Sequence, residues 1–489
     1  MGAKAEGGRR KAEELPGRHP SLSARTAPHG APLRTRSPAS LPPSAFRLPP
    51  SASARFWFRA LGALVVLLAP LILLAIAHRL WIRRRALVGL QAKLSGRGAT
   101  LPRGATLVHG VSLGEVALMK PLLPRLGAGP FILTTTTETG TEGLAKAFPA
   151  APRAHWPFDL PWAVSAFLRR TRPKHVILLE AELWPLALLA CRAHGIPVTV
   201  LNARMTARSH RRWRLLRPVA RRLVGSLSLA VCQEPAYAAR LADLGLPRTR
   251  LAVSGSLKAD MVRPATADAA ASEAARIALP EGPLLLLAST SEPEEAPLLA
   301  AWKRWGSEAG WRCVIVPRHP ERGAALVELC EGLGLEARRT AAGQEPRGPG
   351  EAGASRSIII VDEIGRLAPL YALCAQRGGI AVVGGSLGSG RGGQNMLEAA
   401  AAGCCTVVGW DTVAQPDPMR LLRSAQAVVE LSPTSLDADL ATLAADPARR
   451  ADLGHRARTA WQSGKGALDR TIRILEQPPA SSPQPPAYP

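Results

Sequence analysis

The chain has 489 residues, 20% of them charged, and a formal net charge of +25. It is long enough for two domains with separate cores, and an apolar fraction of 47% excludes a wholly disordered polymer. Seven irregularly spaced cysteines give neither a disulfide framework nor a CxxC metal knuckle, which fits a reducing compartment.

The charge is concentrated early, with 17 Lys/Arg against 3 Asp/Glu in the first 100 residues. Such a bias invites a nucleic-acid reading, but no helix-turn-helix, finger or aromatic-studded strand supports one, and no nucleic-acid partner is expected. Residues 1–55, rich in Ala, Arg, Pro and Ser, read as a disordered basic leader. Residues 60–77 then run 18 positions without a charge, flanked by Phe56, Trp57, Phe58 and Trp81. Residues 56–85 are predicted to form a membrane helix, spanning or lying in the interface. Arg83, Arg84 and Arg85 would meet an anionic lipid surface.

Residues 86–263 alternate apolar runs with helical patterns. Apolar runs near Leu107, Ile132, Ile177, Val198, Leu229 and Ala252 each give way to polar residues, the layout of a mostly parallel, doubly wound sheet. The polar residues gather on one rim: His109-Gly110-Val111-Ser112-Leu113-Gly114-Glu115, then Thr134 to Gly140, Glu180 and Glu182, and Asn202 to Met205. Glu115 has two readings, a catalytic base at a strand's carboxyl end or the acid of a capping box with Ser112. Nine Arg/His residues between Arg204 and Arg222 form a basic helical surface suited to lipid phosphate.

After a linker at 264–280, residues 281–470 repeat the pattern in a second α/β domain, and 471–489 read as a disordered tail. Gly384-Gly385-Ser386, followed by Asn395-Met396-Leu397-Glu398, combines a glycine turn with a helix start, where free N–H groups favour an anion. It is neither GxGxxG nor GxxxxGK[ST], so a dehydrogenase or P-loop ATPase is disfavoured. Arg318 and His319, at a neighbouring strand end, are placed to neutralise phosphate. With no Asp-x-Asp pair at a strand end, no metal site is expected, and the layout suits metal-independent glycosyl transfer from a nucleotide-linked donor.

Taken in order, the motifs His109–Glu115, Thr135–Gly140, Glu180-x-Glu182-Leu183-Trp184-Pro185, Asn202-Ala203-Arg204-Met205, Gly255-x-Leu257-Lys258-x-Asp260, Ala288-Ser289-Thr290, Val316–Arg322 and Gly384 through Glu398 resemble the 3-deoxy-D-manno-octulosonic acid (Kdo) transferases of lipopolysaccharide synthesis. The resemblance runs from about residue 58 to 470. It implies an α/β GT-B fold of two Rossmann-like domains facing a cleft, and a CMP-Kdo donor with no separate cofactor. It also implies the lipid A precursor lipid IVA as acceptor, and the cytoplasmic side of a Gram-negative inner membrane. Glu115 matches the family's proton acceptor in an inverting displacement. Arg318, His319, Ile364-Gly365-Arg366 and Asn395–Glu398 match CMP-contacting positions. Arg366 departs from the pattern, standing where an acid is common, and Gln394 stands where a His often precedes the Asn. The alternatives are a membrane-associated GT-B enzyme using another nucleotide sugar, such as a UDP-sugar, or a membrane-anchored RNA-binding protein.

Overall fold

The computed structural model describes residues 48–83, 89–98, 100–127, 129–180, 183–306, 309–340 and 357–477, and not the side chains of 69–83. The expected leader up to residue 47, Arg84, Arg85, Glu182, the loop at 341–356 and the tail from 478 lie outside the described residues.

Two seven-stranded, all-parallel sheets organise the chain. In the first, β1 (Thr106–His109), β2 (Phe131–Thr135), β3 (Arg153–His155), β4 (His175–Leu179), β5 (Val198–Ala203), β6 (Leu229–Cys232) and β7 (Leu251–Val253) lie in the order 3-2-1-4-5-6-7. In the second, β8 (Leu284–Thr290), β9 (Arg312–Pro317), β10 (Ala337–Arg339), β11 (Ile358–Ile360), β12 (Ile380–Val383), β13 (Cys405–Val408) and β14 (Val429–Glu430) lie in the order 10-11-9-8-12-13-14. The first order reverses at β1/β4 and the second at β8/β12, with β10 and β11 interchanged at the second sheet's edge. The crevice at such a reversal, outside the carboxyl ends of the strands, is where open α/β sheets bind ligands.

The leucine run in β8 shows why these strands read as continuous apolar stretches. Leu284, Leu286 and Ala288 face one core, while Leu285 and Leu287 face the other. A parallel strand covered by helices on both faces has no polar side to show. The strands that sequence reading passes over, β3, β10 and β14, are sheet edges of two or three residues. Arg153-Ala154-His155 and Ala337-Arg338-Arg339 carry charge there, as edge strands commonly do.

A 32-residue helix, Ala52–Arg83, opens the described chain. Ala54 is buried, and Trp57, Phe58, Leu61 and Val65 pack against the core that holds Leu186 to Cys191. Positions 54, 57/58, 61 and 65 recur at helical spacing, so one stripe is spent on the protein. Phe56 and Leu67 on other faces are exposed. The first half of the expected membrane helix is thus also a layer of the first domain. Among the described residues no helix is long and apolar enough to cross a membrane, and the apolar stretch beyond residue 68 lies outside the described side chains.

A correction concerns the disordered tail expected from residue 471, since residues 471–476 lie in a helix. Helix Pro447–Gly464 packs on the second sheet through Ala457, Ala460 and Trp461. The chain then crosses back, and helix Ala467–Glu476 buries Ala467, Ile472 and Leu475 in the first core, beside Val108 and Val116. Asp260 fixes the crossing by accepting hydrogen bonds from Gly466 N and Leu468 N, both at 2.7 Å. Trp461 Nε1 donates to the Ala259 carbonyl at 3.0 Å. The acid of the Gly255–Asp260 motif thus caps a distant helix. Asp260→Ala is expected to cost about 1–3 kcal/mol, seen as an earlier thermal transition with faster proteolysis near residue 466. An unchanged transition would assign the crossing to apolar packing alone.

Candidate active site

The first rim is built around one carbonyl and one carboxylate. Ser112 is the N-cap of helix Leu113–Leu122, and Glu115 closes the capping box. The Glu115 side chain is 9% exposed. Its Oε2 accepts from Val111 N and, at 3.3 Å, from Ser112 N, while Ser112 Oγ lies 3.4 Å from Oε1. The capping reading is therefore realised, and it orients the same carboxylate that the catalytic reading requires. Val111 is itself held, because its carbonyl accepts from Thr135 Oγ1 at 2.8 Å and Thr137 Oγ1 at 3.0 Å. Thr137 also caps helix Glu138–Ala147 through Gly140 N. The threonine run thus positions Val111, which positions Glu115. Gly110 is required for closeness: a Cβ there would meet Glu115 Cβ at 2.9 Å.

Beneath this turn His109 is fully buried, stacked on Trp156 with centroids 4.3 Å apart, and its Nδ1 lies 3.1 Å from Thr134 Oγ1. Burial pulls its pKa down from 6.5 to about 3, so it is neutral in the fold at pH 7. In the unfolded chain the imidazole takes up a proton below about 6.5. The stability it contributes is thus complete above that pH and is lost as pH falls toward 3, at up to about 1.4 kcal/mol per unit. His109→Gln should show a shallower loss of denaturation midpoint between pH 6.5 and 4.5 than the parent. Parallel curves would refute the buried neutral state.

Further along the rim, Glu180 and Asn202 hold left-handed backbone at φ 60 and 55. Such strain in non-glycine residues concentrates at functional sites. Glu180 Oε1 lies 3.4 Å from Lys258 Nζ, and Asn202 Oδ1 accepts from Leu257 N at 3.0 Å. Arg204 faces Asp417 at 3.9 Å.

On the second rim, Arg318 and His319 are exposed at the end of β9. Arg391 NH1 lies 3.2 Å from His319 Nε2, adding a cation from the glycine-rich loop. Asn395 Nδ2 donates to Glu398 Oε1 at 2.9 Å, and its Oδ1 accepts from Leu397 N. Burial pushes the Glu398 carboxyl up, against the Asn395 hydrogen bond and the nearby Arg318 cation. Arg318, His319, Asn395 and Glu398 are thus brought together. Met396 and Leu397 are buried side chains in the core. Ile364 is 88% exposed beside Gly365. Arg366 is tied to Glu363 at 3.1 Å and Glu273 at 3.6 Å, which gives this departure from the family pattern a structural partner.

Gly384-Gly385-Ser386 faces inward. Gly384 N donates to the Ala288 carbonyl at 2.8 Å, Gly385 N to Glu294 Oε1 at 2.7 Å, and Ser386 Oγ to the Val383 carbonyl at 2.7 Å. The expectation that these glycine amides cradle an anion is corrected for Gly384 and Gly385, since an internal carbonyl and a carboxylate already occupy them. Sequence reading passes over Glu294, whose Oε2 also accepts from Leu387 N, at 3.3 Å. It also passes over Glu295, which binds Arg322 at 2.5 Å. Both look like ordinary helix-start acids, and only their burial marks them.

The two rims meet. Tyr237, just after β6, donates its hydroxyl to Asp417 Oδ1 at 2.8 Å, and Arg420 pairs with Glu234. Burial, then the Asp417 carboxylate, pushes the Tyr237 hydroxyl up to about 12. Beside this junction lies a cavity of about 190 Å³ bordered by Gln233, Ser256, Leu397 and Arg420. The segments that follow β6 and β7 therefore meet those that follow β12 and β13 at this cavity. Among the described residues no three His, Cys, Asp or Glu side chains converge as a metal site.

The family model for 3-deoxy-D-manno-octulosonic-acid transferase (kdotransferase) matches residues 82–261, the first sheet with Glu115. A 3-deoxy-D-manno-octulosonic acid transferase from Bordetella pertussis is 34% identical over 387 residues, covering 75% of this chain and 85% of that protein. The chain belongs to the Kdo transferase family. A second Kdo transferase, from Haemophilus influenzae, is 26% identical over 78% of this chain and 88% of its own length. The solved C-terminal CMP-Kdo binding domain of WaaA from Acinetobacter baumannii is similar to 40% of this chain, at 29% identity and a TM-score of 0.35, covering 97% of that domain. A Kdo transferase is a glycosyltransferase.

Proposed function

We propose that this Kdo transferase moves Kdo from CMP-Kdo to lipid IVA, with Glu115 as the general base. Glu115 takes the proton from the 6'-hydroxyl of the acceptor glucosamine. The oxygen attacks the anomeric carbon of Kdo, the bond to the CMP phosphate breaks, and configuration inverts in one displacement. The leaving phosphate carries negative charge, which Arg318, His319 and Arg391 would meet from the second rim. Asn395 and Glu398 would orient the nucleotide, and Ile364 and Gly365 would border it.

The observation that carries this reading is the capping turn at β1, which presents one oriented carboxylate at a topological reversal, the position expected of a base. The basic surface between Arg204 and Arg222, with Leu215 and Leu216 exposed among the arginines, favours an anionic membrane surface. The apolar stretch of the N-terminal helix adds an attachment, spanning or interfacial. On this reading the catalytic domains work on the cytoplasmic side of a Gram-negative inner membrane, as the resemblance implies.

The test combines purified protein, CMP-Kdo and lipid IVA, and weighs the lipid product. Mass increments of Kdo are expected, and their number gives the sugars added. Consumption of a UDP-sugar without use of CMP-Kdo would overturn the donor assignment.

A further inference from the structure

Two cavities lie side by side where helix Ala52–Arg83 rests on the first domain. One, of about 190 Å³, is apolar, walled by Trp57, Leu61, Leu64, Leu189, Val219 and Leu223. The other, of about 180 Å³, is polar, with Ser51, Ser53, Arg192, Arg221 and Ser226 in its wall. Trp57, Leu189 and Arg222 border both. The Arg222 guanidinium lies over the Trp57 ring at 4.3 Å, which leaves the first cavity apolar while holding a cation at its junction with the second.

The polar cavity is cationic, with Arg192, Arg221 and Arg222 in its wall. Arg192 donates to the Pro49 carbonyl, Arg222 to the Pro218 carbonyl at 3.0 Å, and neighbouring Arg250 to the Gly225 carbonyl at 3.3 Å. Among the described residues no carboxylate forms an ion pair with Arg192, Arg221, Arg222 or Arg250. Gathering guanidiniums whose partners among the described residues are carbonyls and one indole ring is unfavourable unless an anion joins them.

The order of the cavities along the helix identifies that anion. Ser51 and Ser53 stand at the helix start, and Leu64 lies about 16 Å further along at 1.5 Å per residue. The uncharged stretch of the sequence continues in the same direction. Polar first, apolar second, hydrocarbon-like beyond is the order of a lipid leaflet from headgroup inward. A free phosphate uses only the first part of that series, whereas an acylated phosphate uses all of it.

We infer that the paired cavity binds one anionic phospholipid, its phosphate among Arg192, Arg221 and Arg222 and the start of one acyl chain between helix Ala52–Arg83 and helix Arg217–Gly225. The inference rests on the membrane attachment proposed above and specifies it: the lipid is wedged between the helix and the domain and sets the angle between them.

The test uses full-length protein in mild detergent, titrated with phosphatidylglycerol, phosphatidylcholine or inorganic phosphate and read by native mass spectrometry. One phosphatidylglycerol should remain per chain, with phosphatidylcholine held more weakly. Arg221→Gln, at an exposed position, should weaken phosphatidylglycerol roughly fivefold, and Arg221→Gln with Arg222→Gln roughly 25-fold. Ala60→Trp, exposed on the wall of the apolar cavity, should weaken the lipid and leave competition by inorganic phosphate unchanged. Phosphatidylglycerol retention unaffected by these exposed-site variants overturns the inference, as does inorganic phosphate competing fully while Ala60→Trp has no effect. Flotation with phosphatidylglycerol vesicles separates the two levels: parent protein that binds the lipid in detergent but never floats refutes membrane attachment alone, and parent and variants that float equally with equal lipid retention refute the cavity alone.

Discussion

Glu115→Gln leaves a folded protein whose Kdo transfer has fallen by about 10²–10⁴-fold, the range for loss of a general base, while nucleotide binding stays within about twofold. The expectation follows from the capping geometry. A glutamine carbonyl oxygen can still accept from Val111 N and Ser112 N, so the turn holds, but the amide cannot take a proton. Glu115→Ala separates the two duties of the side chain, losing the same activity and also the cap, at about 1 kcal/mol of stability. Turnover of the glutamine variant within tenfold of the parent would remove Glu115 from the base role and leave it a helix cap.

Glu294→Ala should be the most damaging single change on the second rim. It strips the acceptor from Ser291 N at 2.8 Å, Gly385 N at 2.7 Å and Leu387 N at 3.3 Å, all in a buried setting. Burial pushes the Glu294 carboxyl up, and the N–H groups of Gly385, Leu387 and Ser291 pull it back down. Orphaning these donors is expected to cost about 3–5 kcal/mol and to loosen the loop that carries Arg391 and Asn395, so nucleotide affinity falls with stability. Glu294→Gln keeps an acceptor for Ser291 and Gly385 but turns an amide donor toward Leu387, and should fall between. A denaturation midpoint unchanged in the alanine variant would contradict the architecture described for the glycine turn.

The central strands of both sheets are legible because a strand covered on both faces must be apolar throughout, as the run Leu284 to Leu287 is. Edge strands escape because Arg153 answers to solvent and Arg338 to the carbonyls of Ile277 and Ala278, so neither strand carries such a signature. Glu115 is legible because a polar turn after an apolar run is local in sequence. Glu294 is not, since its partners Gly385 and Leu387 lie 91 and 93 positions away. Met396 and Leu397 show the converse: they sit inside a motif that resembles a binding segment, yet their side chains belong to the core. Asp260 likewise sits in a family motif and acts on a helix 206 residues further on. Long-range partnership, more than residue type, is what one-dimensional reading lacks.

Because the final helix returns to the sheet where the fold began, two separate lengths of backbone join the halves of the molecule. A single tether would permit twisting as well as closing. A pair, tied together by Asp260 and Trp461, favours a swing about one line, like a door hung at two points. Cutting the chain between the halves would therefore leave the first without its full cover, since it would expose the apolar surface that Ile472 and Leu475 now cover.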